Sequence, residues 1–223
     1  MVAFEFCVVI LLGYLIGAIP FGLIAVRLSR GVDVRDYGSG RTGSTNVLRT
    51  AGTKLALFTL AGDLAKGALP AVIGWVLLND HDAATAQAAQ VAGALAAVVG
   101  HNWPVYLRFR GGRGLASYVG GLGAMYWPAA LGCGVVLGLG SAAVTRYMSL
   151  GAIVIVISFF VTMLALAILD LQPVAYMAYT VVGGGLILYQ HRDNIQRLRA
   201  GTERRLGEAA EAREHLASPG AKE

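Results

Sequence analysis

The chain has 223 residues, of which 56% are hydrophobic and 14% are charged, and its formal net charge is +5. Soluble domains usually carry about a quarter charged residues, so this composition excludes a disordered chain and an ordinary soluble domain. Two cysteines are too few for a disulfide framework, and no Cys/His group has the spacing of zinc ligands. We therefore expect a membrane protein without a metal site.

The apolar residues fall in long runs. A helix rises about 1.5 Å per residue, so about 20 apolar residues cross a hydrocarbon layer of about 30 Å. The charge-poor runs are residues 6–26, 56–78, 84–107, 114–145, 148–169 and 171–190. The first run does not resemble a signal peptide, because no Lys or Arg precedes it.

The distribution of charge predicts the orientation of these runs. Basic residues gather in residues 27–54, in residues 108–113, at Arg146 and in residues 192–205. The positive-inside rule places all of these segments in the cytoplasm, so an even number of crossings separates each from the next. Residues 114–145 must then cross twice, with a turn near Trp127 and Pro128. We predict an all-α protein with seven transmembrane helices, an outer N-terminus and a cytoplasmic C-terminus.

The membrane unit is expected to occupy residues 1–205. Residues 206–223 are polar and mixed in charge, which predicts a disordered cytoplasmic tail. The basic net charge is explained by cytoplasmic loops that face the anionic lipids of the inner leaflet. We therefore expect the protein to contact membrane lipids and not to bind nucleic acid. The sequence specifies no oligomeric state.

The first basic segment contains a stretch rich in Gly, Ser and Thr, residues 37–49. Gly38 and Gly40 allow backbone N–H groups to converge on an anion. Polar side chains that could join them are Ser39, Arg41, Thr45, Asn46 and Arg49. Its G-x-G-x-x-G letters match a dinucleotide fingerprint, but a membrane span precedes them and no βαβ unit follows. The alternative is a flexible basic loop that only fixes orientation.

Two further segments carry candidate chemistry. Residues 110–113 read Arg-Gly-Gly-Arg and suggest a second phosphate-binding loop, with interfacial snorkelling of the arginines as the alternative. His191 and Asn194 lie three residues apart after the last span and would share a helix face, where His191 could bind an oxyanion or move a proton. Ser149 lies at another cytoplasmic junction.

Ionisable residues also occur inside the spans. Asp63 and Lys66 can pair on one helical face, and such residues are either functional or a structural ion pair. His101 either orients its loop or lines the site.

Five stretches occur in order along the chain. They are Gly38-Ser-Gly with Thr45-Asn-Val-Leu-Arg49, Asp63-Leu-Ala-Lys66-Gly, Gly100-His with Trp103-Pro and Arg110-Gly-Gly-Arg-Gly114, Arg146-Tyr-Met-Ser-Leu150, and His191-Arg-Asp-Asn-Ile-Gln-Arg-Leu198. Together they resemble the acyl-phosphate:glycerol-3-phosphate acyltransferases, the PlsY family of bacterial inner membranes. Arg41 stands where that family usually has Asn, and Arg113 where it usually has Lys.

The resemblance implies a multi-pass protein of the bacterial inner membrane with a cytoplasmic active site. It implies transfer of a fatty acyl group from acyl phosphate to the 1-hydroxyl of sn-glycerol 3-phosphate, the first step of bacterial phospholipid synthesis. The products are lysophosphatidate and phosphate, and no cofactor, metal, acyl-CoA or carrier protein is needed. An enzyme that forms acyl phosphate would be its functional partner.

Under this hypothesis the candidate residues divide into two sets. The catalytic set is Ser39, Arg49, Arg113, His191 and Asn194. The substrate-binding set is Gly38, Gly40, Arg41, Thr45, Asn46, Arg110, Gly111, Gly112 and Ser149. The alternatives are a transporter or non-catalytic protein that binds phosphate or a lipid headgroup, and an inactive member of the family.

Overall fold

The computed structural model describes residues 1–208, which form helices and connecting loops without a β-strand in that range. The α-helices are α1 (Val2–Gly17), α2 (Phe21–Arg30), α3 (Ser44–Ala51), α4 (Thr53–Leu78), α5 (Ala83–Asn102), α6 (Leu115–Ala129), α7 (Gly140–Thr145), α8 (Met148–Ile168), α9 (Ala175–Ala178), α10 (Gly184–Gln190) and α11 (Arg192–Arg199). The π-helical segments Ala130–Leu139 and Tyr179–Gly183 join α6 to α7 and α9 to α10. The all-α prediction is confirmed for the described residues.

Five segments in the described part of the chain are long and apolar enough to cross a membrane. They are Val2–Arg30, Thr53–Leu78, Ala83–Leu107, Leu115–Thr145 and Met148–Ile168. The first contains the break between α1 and α2 at Pro20, whose backbone is not helical. The protein is therefore a helical, multi-pass membrane protein.

The segment Leu115–Thr145 folds back on itself. Tyr126 has φ −154° and ψ 87°, which interrupts the helix one residue before Trp127. Beyond the break the chain returns along α6, and a Cβ atom on Gly134 would lie 3.3 Å from Val119. The turn thus lies where the sequence predicts it.

A stack of two tyrosines joins α6 to the last long helical stretch, residues 175–190. The rings of Tyr118 and Tyr179 lie 5.1 Å apart, and the Tyr179 hydroxyl donates to the Tyr118 carbonyl oxygen at 2.8 Å. The Tyr118 hydroxyl donates in return to the Thr180 carbonyl oxygen at 3.2 Å. Both rings are fully buried, so the start of α6 is fixed relative to residues 179–180, at the start of the π-helical segment that leads into α10.

The predicted tail begins at Leu206, and most of it lies outside the described residues. Residues 206–208 still contact the membrane unit, because Leu206 exchanges hydrogen bonds with Arg146. Its N–H donates to the Arg146 carbonyl oxygen at 2.7 Å, and its own carbonyl oxygen accepts from the Arg146 guanidinium at 2.8 Å.

Candidate functional site

Loops that are far apart in the sequence meet around one cavity of about 250 Å³. Its polar lining comes from loops and helix ends and includes Ser39, Arg41, Thr45, Asn46, Arg49, Arg113, Ser149, His191, Asn194 and Glu203. Its apolar lining comes from α4, α6, α8 and the first π-helical segment and includes Leu60, Leu64, Leu115, Val119, Leu139, Ala152 and Ile155. One cavity therefore offers both a hydrophilic and a hydrophobic surface.

Asn46 holds the first loop together. Its amide oxygen accepts from the Ser39 N–H at 2.9 Å, and its amide nitrogen donates to the carbonyl oxygens of Val34, Tyr37 and Arg41 at 2.9–3.1 Å. The side chain is 2% exposed. Gly38 and Gly40 have φ values of 53° and 68°, which favour glycine, and they allow the loop to turn around this amide.

Helix α3 begins at the edge of the cavity. Gly43 precedes its first residue, and Ser44 and Thr45 of its first turn line the cavity. The first N–H groups of a helix and its dipole favour an anion at that end. The start of α3 therefore favours an anion at the edge of the cavity, in addition to the arginines of the first loop.

The second loop is built differently from the sequence prediction. The N–H groups of Gly111 and Gly112 donate to the carbonyl oxygens of Asn102 and His101 at 3.3 and 3.1 Å. Because these N–H groups are already bonded to the end of α5, they do not form the expected phosphate cradle. Neither glycine belongs to the cavity lining, and Arg110 is exposed outside it.

Arg113 is the residue of this loop that lines the cavity. Gly114, with φ 81°, precedes the first residue of α6 and turns the chain there. Burial, followed by repulsion from Arg41, lowers the pKa of Arg113 to about 10, which leaves it cationic at neutral pH.

Positive charge exceeds negative charge around the cavity. Within residues 1–208, the buried Nε atoms of Arg49 and Arg113 have no hydrogen-bond partner. The described carboxylates of the lining are Asp63 and Glu203, and each is bonded to another side chain. Burial also lowers the pKa of Arg49. Half-buried arginines with buried, unpartnered Nε atoms and no carboxylate partner in the described chain favour binding of an anion.

His191 is held in one tautomer. Its Nδ1 lies 2.8 Å from the Ile187 carbonyl oxygen, which only accepts, so Nδ1 carries the proton and Nε2 is left as an acceptor. Burial, and then the charge of Arg113, lowers the pKa of His191 to about 4. The ring is therefore neutral at neutral pH.

Asn194 is oriented by a residue that the sequence analysis missed. Its amide nitrogen donates to Oε1 of Glu203 at 2.6 Å, and Arg197 donates to Oε2 at 2.8 Å. The amide oxygen of Asn194 is buried and lacks a partner among the described residues. The available signal for Glu203 was an acid near the end of the basic segment of residues 192–205, whose other acid is Asp193.

The predicted residues thus fall into two groups. Those that line the cavity are Ser39, Arg41, Thr45, Asn46, Arg49, Arg113, Ser149, His191 and Asn194. Those outside its lining are Gly38, Gly40, Arg110, Gly111 and Gly112. The glycines shape the loops that carry the first group.

Comparison with known proteins agrees with this architecture. The family model for glycerol-3-phosphate acyltransferase matches residues 7–201. A glycerol-3-phosphate acyltransferase 3 from Dehalococcoides mccartyi is 42% identical over 212 residues, covering 92% of this chain and 98% of the relative. A glycerol-3-phosphate acyltransferase from Rubrobacter xylanophilus is 43% identical over 206 residues, covering 89% and 94%.

Solved structures also resemble this chain in fold and sequence. PlsY, an integral membrane glycerol 3-phosphate acyltransferase, has 35% identity to this chain, and the alignment covers 91% of this chain and 96% of PlsY. The TM-score is 0.79 for its glycerol 3-phosphate form and 0.77 for its lysophosphatidic acid form. The chain therefore belongs to the glycerol-3-phosphate acyltransferase family of integral membrane proteins.

Proposed function

We propose that this protein transfers a fatty acyl group from acyl phosphate to the 1-hydroxyl of sn-glycerol 3-phosphate, forming lysophosphatidate and phosphate. One observation carries the proposal. Arg49 Nε, Arg113 Nε, Ser149 Oγ and Asn194 Oδ1 are buried without hydrogen-bond partners among the described residues, and all four side chains line one cavity. Donors and an acceptor converge there on a polar, anionic substrate.

Two phosphates require two cationic groups. Among the charged residues near His191, Arg113 has the largest effect on the His191 pKa. Because we place glycerol 3-phosphate beside His191, we assign Arg113 to the phosphate of that substrate. Arg49, in the last turn of α3, is assigned to the acyl phosphate. Ser39, Thr45 and Ser149 would add hydrogen bonds around these groups. The apolar lining from α4, α6 and α8 would hold the acyl chain.

The reaction needs alignment more than it needs a strong base. Acyl phosphate is a mixed anhydride, so phosphate leaves readily and no covalent enzyme intermediate is required. The Nε2 lone pair of His191 would accept a hydrogen bond from the 1-hydroxyl, and Asn194 would orient the glycerol. A histidine whose pKa is about 4 holds a proton weakly at neutral pH, so the substrate phosphate is the better final proton acceptor.

The test is direct. Purified protein in detergent is given palmitoyl phosphate and glycerol 3-phosphate, and lysophosphatidate and phosphate are measured; palmitoyl-CoA as donor is the control. We expect equal amounts of both products from acyl phosphate and none from the CoA ester. Binding of both substrates without turnover would instead support a non-catalytic binding protein or a transporter.

We propose seven crossings in the bacterial inner membrane, with a cytoplasmic site and an outer N-terminus. The reversal at Tyr126 supports two crossings within residues 115–145, and residues 175–190 supply an uncharged seventh helix. Single cysteines in a Cys7→Ser, Cys133→Ser background test this. Cysteines replacing Arg30 and Arg110 should be labelled only from the cytoplasm, and those replacing Asp80 and Asp170 only from outside.

A further inference from the structure

Three ionisable side chains are buried together beside the second loop. Nζ of Lys66 lies 2.7 Å from Oδ1 of Asp63 and donates to the Ile19 carbonyl oxygen at 2.8 Å. Nδ1 of His101 lies 3.6 Å from the same carboxylate oxygen and 3.3 Å from Oγ of Ser117. The side chains of the three ionisable residues are each 3% exposed. One edge of the imidazole is therefore fixed by α4 and α6.

The other edge of the imidazole faces Gly112. A Cβ atom on Gly112 would overlap Nε2 of His101, and the next two nearest atoms, at 2.9 Å, belong to the same ring. The Gly112 N–H also donates to the His101 carbonyl oxygen at 3.1 Å. Both the ring and the backbone of His101 thus define the position of Gly112.

Arg113 follows Gly112 directly, lines the cavity and has a buried Nε atom. Because the peptide unit between them is rigid, a shift of Gly112 also moves Arg113. A misplacement of about 1 Å in a substrate-positioning group can reduce the rate about 100-fold. The position of the His101 ring therefore bears on phosphate binding.

We propose that His101 is a positioning residue: with its ring held by Asp63 and Ser117, it supports Gly112 and thereby directs Arg113 at the phosphate of glycerol 3-phosphate. Lys66 neutralises Asp63, which would otherwise be an unpaired charge in the membrane interior. This role rests on the proposed function, which defines what Arg113 binds.

A double-mutant comparison tests the contact between ring and glycine. In Gly112→Ala the added methyl group meets the ring, and we expect the KM for glycerol 3-phosphate to rise about 50-fold or more, with a smaller change in kcat. In His101→Ala/Gly112→Ala the ring is gone, and we expect the KM to fall back at least about fivefold from the Gly112→Ala value.

Gly111 provides the matched control. A Cβ atom there would overlap the His101 carbonyl oxygen, which the His101→Ala change does not remove. We therefore expect no recovery in His101→Ala/Gly111→Ala relative to Gly111→Ala. A general loosening of the fold would affect both pairs alike, whereas the proposed contact affects only the Gly112 pair.

The outcomes separate the two proposals. Wild-type protein that makes no lysophosphatidate would refute the proposed function, whereas an active wild type without recovery in the Gly112 pair, or with equal recovery in the Gly111 pair, would overturn the role of His101. If the double variant does not fold, the single variants His101→Gln and His101→Ala test the role of His101 instead. We then expect a KM for glycerol 3-phosphate within about threefold of wild type for His101→Gln and about tenfold higher for His101→Ala. Equal KM values in both would overturn the role.

Discussion

Nδ1 of His191 lies 2.8 Å from the carbonyl oxygen of Ile187, which lies one turn earlier, in α10. Burial and the charge of Arg113 lower the pKa of this ring from 6.5 to about 4. We expect its NMR signal, identified by its loss in His191→Gln, to titrate with a midpoint of about 4. A midpoint at the ordinary value would mean that the ring is solvated and the site open to water.

The same shift links folding to pH. The unfolded chain, with a histidine pKa of 6.5, binds the proton more tightly than the folded protein, whose His191 pKa is about 4. The contribution of His191 to stability therefore falls as the pH drops through this window and is lost below it. Thermal unfolding in detergent should show this slope in the wild type and a smaller slope in His191→Gln.

Arg113→Gln should reduce kcat/KM for glycerol 3-phosphate about 100-fold or more, because a buried charged donor to the phosphate is lost. Arg108→Gln is the matched control, since Arg108 is exposed in the same loop and outside the cavity lining. Steady-state kinetics with palmitoyl phosphate measure both. Equal losses in the two variants would show that net loop charge matters and the position of Arg113 does not.

Arg113→Lys restores the residue typical of the family but removes the planar guanidinium. Because Arg grips two oxygens and Lys presents a point charge, we expect the KM for glycerol 3-phosphate to rise about threefold to tenfold while kcat changes little. An unchanged KM would mean that phosphate binding depends on the positive charge at position 113 and not on the planar guanidinium.

Ala152→Phe should shift acyl-chain preference. Ala152 is 2% exposed and belongs to the apolar lining, so a phenyl ring there fills space that we assign to the acyl chain. We expect turnover of palmitoyl phosphate to fall about tenfold relative to octanoyl phosphate. Ala165→Phe, on the exposed side of the same helix, is the control and should leave the ratio unchanged.

Glu203→Gln should destabilise the protein by about 1–3 kcal/mol, because the carboxylate accepts from both Asn194 and Arg197 and an amide satisfies only one of these donors. Glu208→Gln, an exposed residue that accepts from a backbone N–H, should have little effect. The thermal unfolding midpoint compares the two. A midpoint for Glu203→Gln equal to that of Glu208→Gln would contradict a bracing role.

The sequence predicted the helices, the break near Trp127 and the segments that line the cavity, because hydrophobic runs, glycine clusters and charge are local features. Roles that depend on distant partners were not accessible in this way. The side-chain amide of Asn46 forms hydrogen bonds with the backbone of its own loop. The N–H groups of Gly111 and Gly112 donate to carbonyl oxygens at the end of α5. Spacing along the chain does not reveal which carbonyl oxygen each of these N–H groups meets in the folded protein.

The burial of Glu203 illustrates the same limit. An acid near the end of a basic stretch looks solvated in the sequence, yet it is 9% exposed and bonded to Asn194. Only the fold brings residues 202–206 back to Arg49 and Arg146, whose side chains bond to backbone carbonyl oxygens of that segment.

The stacked rings of Tyr118 and Tyr179 have an evolutionary consequence. They join the start of α6, next to Arg113, to the segment that leads to His191, and Tyr118 lies on the N-terminal side of the break at Tyr126. We therefore expect substitutions beyond Tyr126 to alter the apolar lining of the cavity without changing the spacing between Arg113 and His191. Related proteins are then expected to differ in this apolar surface while the polar side chains keep their positions.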